Sequence, residues 1–108
     1  MYTMMQVCRE LDMTYQTLKF YCNEGLVPNV KRDHNNRRVF DEKDVKWIKD
    51  LTCLKKCGMS IQEMKKYLEL CLQGEATIVS RKKMLARKQE ELRASIKELE
   101  DSISYIGW

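Results

Sequence analysis

Proline and glycine are scarce, with one Pro and four Gly in 108 residues. So few breakers leave little room for loops, and helix is expected to dominate. Histidine occurs once, as His34, and no two cysteines stand in a CxxC pair, so a zinc finger or zinc ribbon is not expected, nor any other metal or cofactor. No apolar run approaches the ~20 residues that a membrane-spanning helix needs. The first residues, Met1 to Leu11, lack a basic segment followed by an apolar core, and Arg9, Glu10 and Asp12 interrupt them early. A secretory signal is therefore not expected. The five cysteines, Cys8, Cys22, Cys53, Cys57 and Cys71, are odd in number. Without an export signal they predict free thiols and a reducing, cytoplasmic setting. There is no Ser/His/Asp set, no pair of carboxylates placed for acid–base work and no glycine-rich phosphate loop. The lone histidine leaves no Cys–His pair, and an enzyme is not expected.

What is present describes a small globular chain. Hydrophobic residues make up 44% and charged residues 33%, with 20 Lys+Arg against 16 Asp+Glu for a net charge of +4. That composition excludes an intrinsically disordered chain, and the length suits a single domain.

Thr3-Met4-Met5-Gln6 is a capping box, and Met4, Val7, Cys8 and Leu11 follow at helical spacing. A second short helix starts after Thr14 as its N-cap, with Leu18, Tyr21 and Cys22 on one face and Tyr15 at its margin. Gln16, Lys19, Phe20 and Asn23 lie toward the other side. Gly25 suits the left-handed residue after a helix, and Pro28 blocks continuation. Two short helices joined by a tight turn make a helix-turn-helix. Asn29 to Phe40 then reads as a β-hairpin. Val30-Lys31-Arg32 and Arg37-Arg38-Val39-Phe40 flank Asp33-His34-Asn35-Asn36, residues that tolerate positive φ. Such a basic hairpin beside a helix-turn-helix is a wing.

A third helix over Asp41 to Cys57 opens with acidic residues, as its dipole favours. Trp47, Ile48, Leu51 and Leu54 form its apolar face, with Val45 near the margin. Ser60-Ile61-Gln62-Glu63 is a second capping box, and Ile61, Met64, Tyr67, Leu68, Cys71 and Leu72 then face one way. From about Thr77 the pattern changes. Ile78, Leu85, Leu92, Leu99 and Ile106 recur every seven residues, interleaved with Ile96 and Ile103, while Lys82 and Gln89 are polar at early core positions. That is a coiled-coil seam. Its ~30-residue helix would be ~45 Å long, too long for a small core to cover, so a homodimer is predicted. The expected division is residues 1–74 as a winged helix-turn-helix domain with two following helices and 75–108 as the coiled-coil dimerisation helix.

The combination points to DNA. Lys19 and the wing arginines can neutralise phosphates, and the exposed face of the second helix can meet base edges in the major groove. A dimer would require a palindromic site. The competing reading is a protein-interaction module whose coiled coil docks another factor.

Thr14-Tyr15-Gln16-Thr17-Leu18-Lys19-Phe20-Tyr21, followed by Glu24-Gly25-Leu26-Val27-Pro28, resembles the recognition-helix signature of MerR-family transcription regulators. So does Asn35-Asn36-Arg37-Arg38-Val39-Phe40-Asp41-Glu42-Lys43-Asp44-Val45, and Cys57-Gly58-Met59-Ser60-Ile61-Gln62-Glu63-Met64 is similar to the step between the family's third and fourth helices. The resemblance spans residues 2–106. It implies a mainly α fold: a winged helix-turn-helix DNA-binding domain followed by a long dimerisation helix that pairs antiparallel. It also implies a mechanism, in which the dimer sits on a promoter with an overlong spacer and distorts the DNA so that RNA polymerase can engage. By position, the implied DNA contacts are Tyr15, Gln16, Thr17, Lys19, Tyr21 and Arg38, and charge adds Arg37. Two departures stand out: Lys19 replaces the family's usual Arg and loses bidentate phosphate geometry, and Phe20 lacks a hydroxyl.

The family's metal sensors carry a cysteine near the start of the dimer helix and two more after it. Here Glu75-Ala76-Thr77-Ile78-Val79-Ser80 has no thiol and no cysteine follows Cys71, so a metal sensor of that kind is not expected. Neither is a multidrug sensor with a large C-terminal ligand domain. Cys8, Cys22 and Cys71 fall on apolar faces and read as small buried hydrophobes. Cys53 falls opposite the apolar face of its helix, between Lys49 and Lys56, and nearby cations favour the nucleophilic thiolate. Cys57 follows one turn on as a second candidate; alternatively this face packs on a partner's helix. The run Asp50 to Ser60, with Tyr67 to Gly74, is similar to the NmlR/AdhR-like subgroup of the family. That implies a sensor thiol at Cys53 responding to reactive carbonyls or related thiol stress.

Overall fold

The computed structural model describes residues 1–107. The chain forms two compact units, Met1–Lys56 and the residues from Cys57 onward. In the first unit the order is β1 (Tyr2–Thr3), α1 (Met4–Leu11), α2 (Tyr15–Asn23), β2 (Lys31–Arg32), β3 (Arg38–Phe40) and α3 (Glu42–Lys56). In the second it is α4 (Ile61–Leu72), a 3₁₀ turn (Gly74–Thr77) and α5 (Ile78–Ile106). Among the described residues no helix is long and apolar enough to cross a membrane.

Each helix of the first unit starts where a side chain can take up free amides. Thr3 and Gln6 form the capping box of α1 in both directions. The Thr14 hydroxyl accepts from the Thr17 amide at 3.1 Å at the start of α2. Gly25 ends that helix with φ of +75°, a conformation costly for any residue with a Cβ. The loop beyond is tied down by Trp47, whose Nε1–H donates to the Leu26 carbonyl at 2.7 Å. Val7, Leu18, Leu26, Phe40, Ile48 and Leu51 are fully buried.

The hairpin forms as expected, with the Asp33 amide bonded to the Arg37 carbonyl and Asn36 at φ of +60°. The sheet nonetheless has three strands in the order β1-β3-β2, all antiparallel, pairing Tyr2 with Phe40 and Lys31 with Val39. Two residues are too few for a period-2 pattern, so nothing in the sequence singled out β1. Its effect is to place β3 in the centre, with α1 leaving directly from the sheet edge.

The start of α3 is the most densely bonded point of the unit. The Asp41 carboxylate accepts from the Asp44 amide at 2.8 Å, and Asp44 reciprocates to the Asp41 amide at 3.0 Å. Lys31 from the wing reaches both, at 2.9 Å to Asp41 and 3.3 Å to Asp44. Buried Asp44 is thereby satisfied, and the Lys31 hydrogen bond is the largest influence holding the Asp41 carboxyl at about 2.

Helical faces were assigned correctly in outline, with shifts at their edges. Val45 is buried rather than marginal on α3, and Trp47 and Leu54 are half-buried. Leu72 is 64% exposed because it lies at the last turn of α4. In the second unit Met59, Met64 and Leu68 are buried, and Ser60 caps α4 through a complete capping box with Glu63.

The ordinary aspartate pKa is 3.8 and that of folded Asp41 is about 2, so its contribution to stability is present above 3.8 and is lost as pH falls through 2. Acid titration of unfolding by circular dichroism should show this slope between those values, and D41N, which keeps an N-cap oxygen, should flatten it.

Candidate nucleic-acid interface

The start of α2 and the wing share one groove of about 490 Å³. Tyr15, the first residue of α2, forms one wall, and Arg32, Arg37 and Arg38 of the wing form the other, over Met4 and Met5 at the start of α1. Three guanidinium groups beside an exposed aromatic ring can hold phosphates and stack or pack against sugar and base.

Local bonding explains the shape. Asp33 places a carboxylate within this basic groove, but its Oδ1 accepts from the Asn35 and Arg37 amides, each at 2.9 Å, and these bonds keep its carboxyl below the usual range. It is a turn-builder whose charge is already engaged. Arg32 donates to the Asn36 carbonyl at 3.0 Å, bracing the tip from one side. Arg38 donates to Asn23 Oδ1 at 2.8 Å, fastening the wing to the last turn of α2. Lys31, the fourth cation of the hairpin, is instead drawn to Asp41 and Asp44.

The sequence-predicted residues separate into three groups. Tyr15, Gln16 and Lys19 are exposed on α2, and Arg37 is exposed on the wing. Thr17 is half-buried and its hydroxyl accepts from Thr14 at 2.8 Å, while Arg38 is half-buried and held by Asn23. Tyr21 is only 4% exposed and its ring belongs to the core. Its hydroxyl makes no hydrogen bond within the described residues, yet no fully buried side-chain oxygen among them lacks a partner, so the hydroxyl tip reaches solvent. Burial raises its pKa, which keeps it a donor. Phe20 is 46% exposed and lies in a tilted pair with Tyr21, their ring centres 6.3 Å apart.

Sequence reasoning missed Arg32, Met5 and Asn23. Arg32 was counted as wing charge but not as a contact. Met5 breaks the helical spacing of Met4, Val7, Cys8 and Leu11, which was the available sign that it faces outward, and it is 58% exposed. Asn23 gave no signal, because its partner lies 15 residues away.

The thiols differ in setting. Cys8 is buried and Cys22 half-buried, and burial raises both, although Arg38 and Arg32 pull Cys22 the other way. Cys71 is half-buried, so neither Cys22 nor Cys71 is the fully buried hydrophobe that its helical face suggested. Cys53 is exposed on α3, between the exposed Lys49 and Lys56. Cys57 is exposed too, but α3 stops at Lys56, so it sits in the turn rather than on the helix. No group of three or more His, Cys, Asp or Glu that could hold a metal occurs among the described residues.

On α5 the seam residues are progressively bare. Ile78, Leu85 and Leu92 are each about 40% exposed, Ile96 and Leu99 more so, and Ile103 and Ile106 reach 70% and 82%.

Comparison with known proteins identifies the family. The family model described as MerR HTH family regulatory protein matches residues 2–71, and that described as MerR, DNA binding matches residues 45–106. An HTH-type transcriptional regulator of Haemophilus influenzae is 35% identical over 107 residues, covering 99% of this chain and 79% of that protein. The HTH-type transcriptional regulator AdhR of Bacillus subtilis is 37% identical over 87 residues, covering 81% of this chain and 62% of AdhR. Among solved structures, HiNmlR, a MerR family regulator lacking the sensor domain and bound to promoter DNA, is 34% identical with a TM-score of 0.83, over 95% of this chain and 78% of that one.

The bonding of the wing separates its cations by role. Arg37→Ala and Arg38→Ala should each weaken binding to duplex DNA and lower the salt slope of log K by about one. Lys31→Ala should leave the slope unchanged and lower thermal stability instead. Titrations at several salt concentrations, beside melting curves, check both.

Proposed function

The chain belongs to the MerR family of DNA-binding transcriptional regulators, and on that premise we propose that it binds a palindromic promoter operator as a homodimer and regulates transcription there by distorting an overlong spacer for RNA polymerase. The observation that carries this reading is the groove that sets Tyr15 against Arg32, Arg37 and Arg38. It supports phosphate anchoring by Arg37 and Arg38 and a base or sugar contact by Tyr15; Gln16, Thr17, Lys19 and Tyr21 lie outside its lining and are proposed from their positions on α2. HiNmlR, bound to promoter DNA in its own structure, supports the same class of ligand.

The bare stripe on α5 supports the dimer. Ile78, Leu85, Leu92, Ile96, Leu99, Ile103 and Ile106 would each remove apolar surface from water against a second, antiparallel α5, at about 25 cal/mol per Å². In this reading residues 75–108 dimerise and residues 1–74 serve DNA. Unit two begins earlier, at Cys57, because α4 packs with α5. The setting is the cytoplasm, where promoters and reduced thiols coexist.

The input we propose is electrophile or thiol stress at Cys53. Three features support it: Cys53 is exposed, it has lysines on either side along α3, and it lies in the segment that resembles the NmlR/AdhR-like subgroup. Alkylation of its thiol, with loss of the S–H proton, would add bulk at one point of α3, shifting the balance between two dimer arrangements. Cys57 is the second candidate thiol.

Two experiments test the reading. Purified protein bound to fragmented DNA of its source genome should retain one or a few dyads centred in promoters with long spacers. Retained DNA without a common dyad at physiological salt would sink the operator proposal and favour a protein-interaction role. In a reporter strain, Cys53→Ala should abolish induction by carbonyl compounds while leaving operator binding intact. Unchanged induction would reject Cys53 as the sensor.

A further inference from the structure

The second unit has a groove of its own, between α4 and α5, of about 640 Å³. That is within the range of small-molecule sites, roughly 300–1,000 Å³. Its apolar floor comes from Leu70 on α4 and Met84 on α5, and Lys66, Lys83 and Arg87 stand around it. A fourth cation, Lys88, has a side chain only 13% exposed, and it is neutralised by Glu63 at 3.3 Å and Glu91 at 2.8 Å. Lys88 therefore joins the two helices as a finished ion-paired wall. Lys66, Lys83 and Arg87 have no such partner among the described residues. Four cations thus meet two carboxylates, both already engaged, around an apolar floor.

The groove is also separate from the surface that pairs with a second chain. At 100° per residue, Lys83 and Arg87 lie about 100° or more round α5 from every seam residue from Ile78 to Ile106, while Met84 lies nearer, about 80° from Leu92. A helix seated on that line leaves the two cations uncovered. The groove likewise shares no residue with the DNA-facing groove or with α3, which carries Cys53.

We propose that this groove is a binding site for a small amphipathic organic anion, its carboxylate or phosphate head among Lys66, Lys83 and Arg87 and its apolar body on Leu70 and Met84. The pairing follows from what each part lacks: the cations lack a counter-charge, and the two apolar side chains are only half covered. Guanidinium and ammonium groups bonded to an anion make the stronger class of hydrogen bond, and the floor rewards a hydrocarbon body that a bare ion does not have.

The test uses the full chain and 8-anilinonaphthalene-1-sulfonate as the fluorescent probe, with decanoate and inorganic phosphate as competitors. Probe fluorescence should rise to saturation, and decanoate should displace the probe where phosphate at equal concentration does not. Amide shifts in ¹⁵N spectra should concentrate on residues 62–70 and 80–91. The exposed-side-chain variant Lys83→Gln/Arg87→Gln should bind about tenfold more weakly, with an unchanged circular dichroism spectrum. Four results would overturn the proposal: equal affinity in that variant, shifts concentrated on the wing or the α5 seam, displacement by phosphate as effective as by decanoate, or no saturable binding. The last would be the behaviour of a surface that docks an acidic protein segment.

Discussion

The contact on which the first unit turns is the triad of Lys31, Asp41 and Asp44. Asp41 follows β3 immediately and caps α3, so a single residue links sheet to helix. Asp44 is buried and would be costly without its cap bond and its lysine. Lys31 comes from the opposite strand of the hairpin, so its two ion pairs clamp the wing to the start of α3. The clamp also decides which wing charges can face a polyanion. Lys31 is engaged inward, and Arg32, Arg37 and Arg38 remain along the groove. Position along the hairpin, more than total charge, sets the electrostatic character of this surface.

Much of this was legible in the residues. Thr3, Thr14 and Ser60 are caps whose side chains can bond only locally, so a helix start can be read from three or four consecutive residues. Gly25 and the Asp33–Asn36 turn are readable for the same reason: backbone conformation there is settled within a few residues. The seven-residue repeat of α5 was readable because periodicity accumulates over length. What was not legible is long-range. β1 has two residues and exists only because Phe40 and Val39 offer it an edge. The Asn23–Arg38 bond and the inward turn of Lys31 join positions separated by 15, 10 and 13 residues, which no local pattern encodes. Tyr21 illustrates the limit for a single side chain. Its helical face implied the core, where the structure places its ring, while the DNA contact implied by its position needs only a hydroxyl tip that reaches solvent.

The cysteines show the same distinction between face and environment. A helical wheel distinguishes Cys53 from the apolar stripe of α3 correctly, since Ile48 and Leu51 are buried, Trp47 and Leu54 half-buried, and Cys53 exposed. It fails for Cys57, because the wheel continues a helix that ends at Lys56. It overstates Cys22 and Cys71, which lie on apolar faces yet remain half-buried near the ends of their helices. Reactivity needs exposure and charge at the sulfur, and neither follows from helical phase alone.

α5 poses the reverse problem, a pattern that the chain alone leaves unfulfilled. Exposure along its seam rises from about 40% at Ile78 to 82% at Ile106, the gradient expected where α4 covers only one end of a long helix. A row of seven apolar side chains left in water would be an aggregation hazard, so pressure for a covering partner is greatest at the distal end. Antiparallel pairing answers that gradient better than parallel pairing would. It sets the barest end of each helix against the best-supported end of the other, so exposed Ile103 and Ile106 are offered a surface near a folded unit instead of each other's free ends. The stripe also leaves the opposite side of α5 unclaimed, and that side carries Lys83 and Arg87. A helix with one apolar and one cationic face, about half a turn apart, therefore keeps the proposed dimer seam and the proposed anion head site on different sides.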